Sequence, residues 1–362
     1  MEGIKKFITC HVPVSACNFR CMYCYIGQIN ENKGKIVSFA SSSDRLAARL
    51  SPERLGGYCY FNLCGNGETM MHPQLSSFVY ELTGMGHYVD IITNGTLVKK
   101  FDELIQKLDP DRQSHLFIKF SFHYLELKRT GLMNKFLENV EKIKESGISY
   151  TIEITPHDEL VSYIDEIKTF SIRHFGAFPH ITVARNEATK EIELLTKLSR
   201  DEYKETWGQF DSRLFDFKFS IFNQPRCEFC YAGLWSLEVD LATGNYIQCY
   251  RGKKLGNLLN NKPIIFAPIG KCNLPHCFNG HAFLAYGDIP ELPAPTYKEE
   301  RDRVTINGEH WLKEGCQKFF STKLYENNEE LSDEQKSKTI KLTNRYNLKR
   351  KLKDRIKRGI NE

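Results

Sequence analysis

The first half of the chain alternates short, mainly apolar runs with longer segments whose apolar residues recur every three or four positions. The runs at 7–12, 58–63, 88–93, 116–122, 150–154 and 181–184 read as strands. The segments at 44–55, 73–83, 98–108, 133–146 and 159–174 read as helices. Pro73 suits a first helical turn, and Gly147 and Gly176 suit helix ends. Six strand–helix repeats predict a parallel sheet with helices outside it. Six are too few for a closed eight-stranded barrel, so an α/β fold of the open, partial (β/α)6 TIM-like kind is expected over 1–185. Its active face would lie at the strand C-terminal ends.

The pattern then changes. Residues 186–226 read as a polar connector with a helix at 200–210, and 227–285 as a small cysteine- and glycine-rich unit with strand-like pieces such as 235–239. Residues 286–297 carry Pro290, Pro293 and Pro295 and read as an extended strap. The rest, to 362, is charged and reads as helical. Trp207 and Trp235 are expected in the core.

At 362 residues and 41% apolar composition the chain is long enough for about two domains and a real core. It has no apolar run of membrane-spanning length, and its N-terminus has no signal-peptide pattern, so a cytoplasmic location is expected. The net charge of +5 is uneven. Residues 331–362 hold 11 Lys and Arg against 4 Asp and Glu, a net +7, which leaves the body at −2. A uniformly basic nucleic-acid surface is therefore not supported. Leu348, Leu352 and Ile356 give the tail an amphipathic face, suited to an anionic surface or an acidic partner.

Twelve cysteines in a reducing compartment point to ligands rather than staples, and eight of them fall in two clusters. Cys17, Cys21 and Cys24 follow strand one directly. Three thiolates on one loop fit a [4Fe–4S] cluster with an open iron. With Cys10 or His11 as a fourth ligand they would also fit a closed zinc site. The second group is Cys227, Cys230, Cys249, Cys272 and Cys277, whose spacing also suits a zinc ribbon. Cys10, Cys59, Cys64 and Cys316 stand apart; Cys59 and Cys64 read as buried small hydrophobes.

The C-x3-C-x2-C spacing, with Tyr23 before the last cysteine, resembles the radical S-adenosylmethionine (radical SAM) superfamily. Gly65-Asn66-Gly67-Glu68 after strand two resembles that family's glycine-rich loop, and Thr93-Asn94-Gly95 after strand three agrees. The resemblance covers about half the chain, residues 6–185. It implies a [4Fe–4S] cluster on Cys17, Cys21 and Cys24 that binds S-adenosylmethionine and cleaves it reductively, giving a 5′-deoxyadenosyl radical that abstracts hydrogen from a C–H bond. It implies Glu68 at the methionyl amino group and the backbone of Tyr23 near adenine. Gly65 and Gly67 would let backbone approach a ligand. By position, Asn66, Asn94, Ser121, His123, Glu153 and Arg185 are further candidate cofactor contacts.

Cys230-Tyr-Ala232-Gly233 and Gly244-x4-Cys249 resemble the SPASM/twitch extensions of this family. Full SPASM domains hold about seven cysteines. Five here imply one auxiliary [4Fe–4S] cluster on Cys230, Cys249, Cys272 and Cys277, with Cys227 a spare or exchanged for one of these. Gly244 would turn a hairpin that brings Cys249 back towards Cys230. His281 reads as structural, with a place near that cluster as the alternative. The expected function is a radical SAM oxidation or epimerisation of a small-molecule or sugar/glycan-type substrate, with flavodoxin or ferredoxin as electron donor. The alternatives are a peptide maturase and, in another class, a zinc-dependent nucleic-acid-binding protein. Strand one begins almost at once, leaving no room for an N-terminal peptide-binding domain.

Overall fold

Strand β1 (Lys6–Val12) alternates Ile8, Cys10 and Val12 on one face with Phe7, Thr9 and His11 on the other. This period of two recurs in β2 (Cys59–Gly65), β3 (Tyr88–Thr93), β4 (Leu116–Ser121), β5 (Ser149–Ile154) and β6 (His180–Ile181). The six strands pair in parallel and in chain order. The computed structural model describes residues 3–359 other than 189–191, 251 and 279. The side chains of His281, Leu352 and Ile356 lie outside the described ones.

The outer face is mainly apolar and packs beneath helices α1 (Ser43–Ala48), α2 (Leu75–Gly84), α3 (Val98–Lys107), α4 (Met133–Glu145) and α5 (Ile164–Phe175). Gly176 ends α5 in the left-handed conformation, as expected. Pro73 lies in the turn before α2, whose first residue is Leu75, so it precedes the helix rather than opening it. The predicted helix at 44–55 is two pieces, α1 and a turn at Pro52–Leu55.

The inner face is layered. Phe7, Tyr60, Tyr88 and Phe117 form an aromatic floor. Above it, Tyr60 and Asn62 each donate to Asp90 at 2.5 Å, and Lys119 pairs with Asp90 at 3.1 Å. The floor is sealed from below by the C-terminal region. Tyr286, Tyr297 of α8 (Tyr297–Arg301) and Phe319 and Phe320 of α9 (Glu314–Phe320) pack against it, with Tyr88 and Phe319 stacked at 4.0 Å. Helices α8 and α9 thus contribute buried aromatic residues to the core, within a region that reads from sequence only as charged and helical. Helices α6 (Arg200–Gly208) and α7 (Arg213–Ser220) follow β6, and α7 packs against β6 and α8. The chain ends in α10 (Asp333–Gly359).

The cysteine-rich unit does not sit wholly apart. Its strand β7 (Ser236–Asp240) pairs in parallel with β1, and β8 (Asn245–Ile247) and β9 (Lys254–Asn257) continue antiparallel. Among the described residues the sheet therefore has nine strands, with β1 inside it. Gly244, at φ 72°, turns β7 into β8, as predicted. Trp235 and Trp207 are buried, and Trp235 stacks on Tyr231 at 3.7 Å.

Candidate active site

The loop that leaves β1 carries Cys17, Cys21 and Cys24. It is held by the loops after β2 and β3. The Asn94 amide donates to Asn18 Oδ1 at 2.8 Å, and Asn18 donates to Thr96 Oγ1 at 2.9 Å. The Glu68 amide donates to the Ala16 carbonyl at 2.8 Å. A Cβ at Gly67 would lie 2.1 Å from that carbonyl, and one at Gly65 would lie 2.5 Å from Val14 Cγ1. What crowds these two glycines is the cysteine loop itself, so their smallness seats that loop on the barrel rim.

Glu68 is 2% exposed. Its carboxylate accepts from Thr93 Oγ1 at 2.7 Å, the Asn94 amide at 2.7 Å and the Met70 amide at 3.0 Å. Burial pushes its carboxyl up, and the three donors oppose that. A carboxylate has about four acceptor positions, so one remains towards the cavity.

That cavity measures about 310 Å³, within the usual range for small-molecule sites. Cys17, Cys21, Cys24, Tyr23, Gly65, Asn66, Gly67, Glu68, Asn94, Ser121 and His123 all line it. Tyr23 Oη and His123 Nδ1 are 2.8 Å apart, and burial pulls the imidazole down to about 4, so it is neutral. Glu153 and Arg185 do not line the cavity. Glu153 is ion-paired with Arg301, and Arg185 lies over the Tyr25 ring and pairs with Glu187. Thr155, Tyr25 and Asn32 also line it, with no motif to mark them in the sequence.

Three half-buried free thiols around one cavity, with the Phe19 amide 3.4 Å from Cys17 Sγ, fit the three-cysteine ligand set. Among the described residues no three Cys, His, Asp or Glu side chains gather at single-ion spacing.

A family model for the radical SAM superfamily matches residues 12–170. These residues form a radical SAM superfamily region. A radical SAM enzyme takes a [4Fe–4S] cluster and S-adenosylmethionine, and Cys17, Cys21 and Cys24 stand together on the wall of this cavity. The chain is 23% identical over 218 residues to an S-adenosylmethionine-dependent nucleotide dehydratase of Thermoplasmatales archaeon (strain ISO4-H5), covering 60% of this chain and 73% of that one. Among solved structures it is similar to Streptococcus suis SuiB bound to S-adenosylmethionine, at 15% identity and a TM-score of 0.49 over 72% of this chain. The match spans 64% of the SuiB chain. Native anSMEcpe with bound AdoMet gives 15% identity and 0.48, covering 71% of this chain and 79% of that one. BtrN in complex with AdoMet and 2-DOIA gives 16% and 0.36, covering 71% and 80%.

The second cysteine group also converges. Cys230, Cys249, Cys272 and Cys277 line one small cavity with Ile269, His276 and Phe278, while Cys227 is exposed and outside it. No described helix is long and apolar enough to cross a membrane.

Proposed function

We propose that this radical SAM enzyme oxidises or epimerises a small, hydroxylated, sugar-type molecule with the help of an auxiliary [4Fe–4S] cluster on Cys230, Cys249, Cys272 and Cys277. The observation that carries this reading is the relation of the two thiol cavities. Arg185 lies 4.2 Å from the Tyr25 ring, which lines the first, and 5.6 Å from the Phe278 ring, which lines the second. A substrate between them would have a hydrogen-abstracting centre on one side and an electron acceptor on the other. When bound, the cluster and S-adenosylmethionine supply the radical that removes hydrogen from carbon.

The protein's own part is enclosure and orientation. The aromatic floor closes the barrel at the N-terminal ends of its strands, which keeps water from the reacting carbon. Glu68 has one acceptor position for the methionyl ammonium, where a charge-assisted bond is strong. Ser121 and Asn94 offer polar contacts at the rim, and Tyr23 and His123 form one wall. The polar inner face suits a hydroxylated molecule. The relative's nucleotide substrate is also a hydroxylated small molecule.

Anaerobic reconstitution of the full chain tests this. Wild type is expected to bind about eight irons, as two four-iron centres require. Cys227→Ser should keep them, and Cys230→Ser should lose about half. Cys230→Ser should still release 5′-deoxyadenosine under dithionite but form no oxidised product. Equal iron in wild type and Cys230→Ser overturns the auxiliary cluster.

A further inference from the structure

The barrel interior between the two thiol cavities holds a set of charged side chains that no motif marks. Glu153 stands in register with Ser121, which lines the S-adenosylmethionine cavity. Thr182, just past β6, donates its amide to Ile154 at 3.0 Å and so lies beside Thr155, another wall residue. Lys218 reaches in from α7 and donates to Thr182 Oγ1 at 2.5 Å. From α8 below come Glu300 and Arg301, both fully buried.

Four bases and four acids meet here, and three of each are paired. Lys119 pairs with Asp90, Arg301 with Glu153 and Arg185 with Glu187. Among the described residues no carboxylate lies at ion-pair distance from Lys218. Glu300 is the acid left over, but burial pushes its carboxyl up to about 8, so it is mainly neutral near pH 7. Burial first, and then the charge of Arg185, pull the Lys218 ammonium down to about 7. A half-buried ammonium with no carboxylate at ion-pair distance is stabilised in its charged form by an arriving anion.

The same cluster has unused hydrogen-bonding capacity. Among the described residues, Nε and Nη2 of Arg301 and both carboxyl oxygens of Glu300 have no hydrogen-bond partner, although they are buried. Buried polar atoms are nearly always satisfied, so orphans grouped beside a cofactor cavity mark a ligand's place. Sequence reading missed them because they come from the connector and the C-terminal region, far from both cysteine motifs.

We propose that this interior is the substrate cradle and that the substrate carries a carboxylate or phosphate group, held by Lys218 and the free edge of Arg301, with Glu300 and Thr182 available to its hydroxyls. This rests on the small-molecule reading above and narrows it to an anionic, hydroxylated compound.

The test is calorimetric titration of the reconstituted full chain, saturated with S-adenosylmethionine, with glucose 6-phosphate, glucuronate and glucose as probes. At least one anionic sugar should bind ten-fold or more tighter than glucose; which one does identifies phosphate or carboxylate. Lys218→Met should weaken that binding about ten-fold while S-adenosylmethionine affinity holds, and Lys218→Arg should retain it. Equal binding of glucose, no saturable binding of either anion, or an unchanged Lys218→Met would overturn the proposal. Iron content and 5′-deoxyadenosine release of the wild type report on the enzyme reading separately.

Discussion

The Glu68 carboxylate accepts the Asn94 backbone amide at 2.7 Å, joining the loop after the second strand to the loop after the third. With Thr93 and Met70 it serves three donors from a buried position. Glu68→Gln replaces one acceptor oxygen with a donor that faces other donors. It should destabilise the fold by about 1–3 kcal/mol, read by thermal unfolding. S-adenosylmethionine binding should weaken ten-fold or more in calorimetry.

Gly67→Ala tests how tightly the cysteine loop is seated. The added methyl would sit 2.1 Å from the Ala16 carbonyl, so the loop must move. Iron at the three-cysteine site should fall by at least half, measured by metal analysis and the visible absorption of the cluster. Gly208→Ala, at a helical position with nothing within 4 Å of the new methyl, should leave iron content unchanged.

These two glycines show what a sequence does and does not disclose. Their spacing from Glu68 is visible in one line of text, because the family motif is local. That they also accommodate Val14 and Ala16 of the cysteine loop is a tertiary fact. The strands were legible because their outer faces are mainly apolar, as Ile8, Cys10 and Val12 show. The role of residues 297–320 was not legible. Tyr297, Phe319 and Phe320 are spaced among charges, and only the barrel floor they meet gives them a buried face. Arg301 and Lys218 escaped for the same reason, since a charge run reads as solvated until a partner surface is known.

Removing one member of the Asp90 network should cost more than removing two. Asp90 and Lys119 are 0% and 5% exposed. Burial works against the Lys119 ammonium, and Asp90 holds it charged nonetheless. Asp90→Asn should destabilise by about 3–5 kcal/mol, because a buried ammonium loses its partner. Adding Lys119→Met should recover part of that loss in urea unfolding.

His87 gives the fold an acid limit. Its Nδ1 accepts the Cys59 amide at 3.1 Å and its Nε2 lies 3.0 Å from the Leu50 carbonyl, so the ring must be neutral. Burial pulls it from 6.5 to about 4. Its contribution is therefore complete above pH 6.5 and is lost as pH falls from 6.5 towards 4, on the order of 3 kcal/mol in all. His87→Gln should lower stability at pH 7 and flatten the profile across that window, read as unfolding midpoints at several pH values.

Because Ser236–Asp240 lies alongside Lys6–Val12, the latter strand gains its second neighbour only after some two hundred further residues have been made. During synthesis it has an open flank, exposed to pairing with other chains. Closing that flank also carries the second thiol group towards the barrel. Truncation before residue 236 would therefore remove a sulfur site and leave a sticky sheet edge in the same cut.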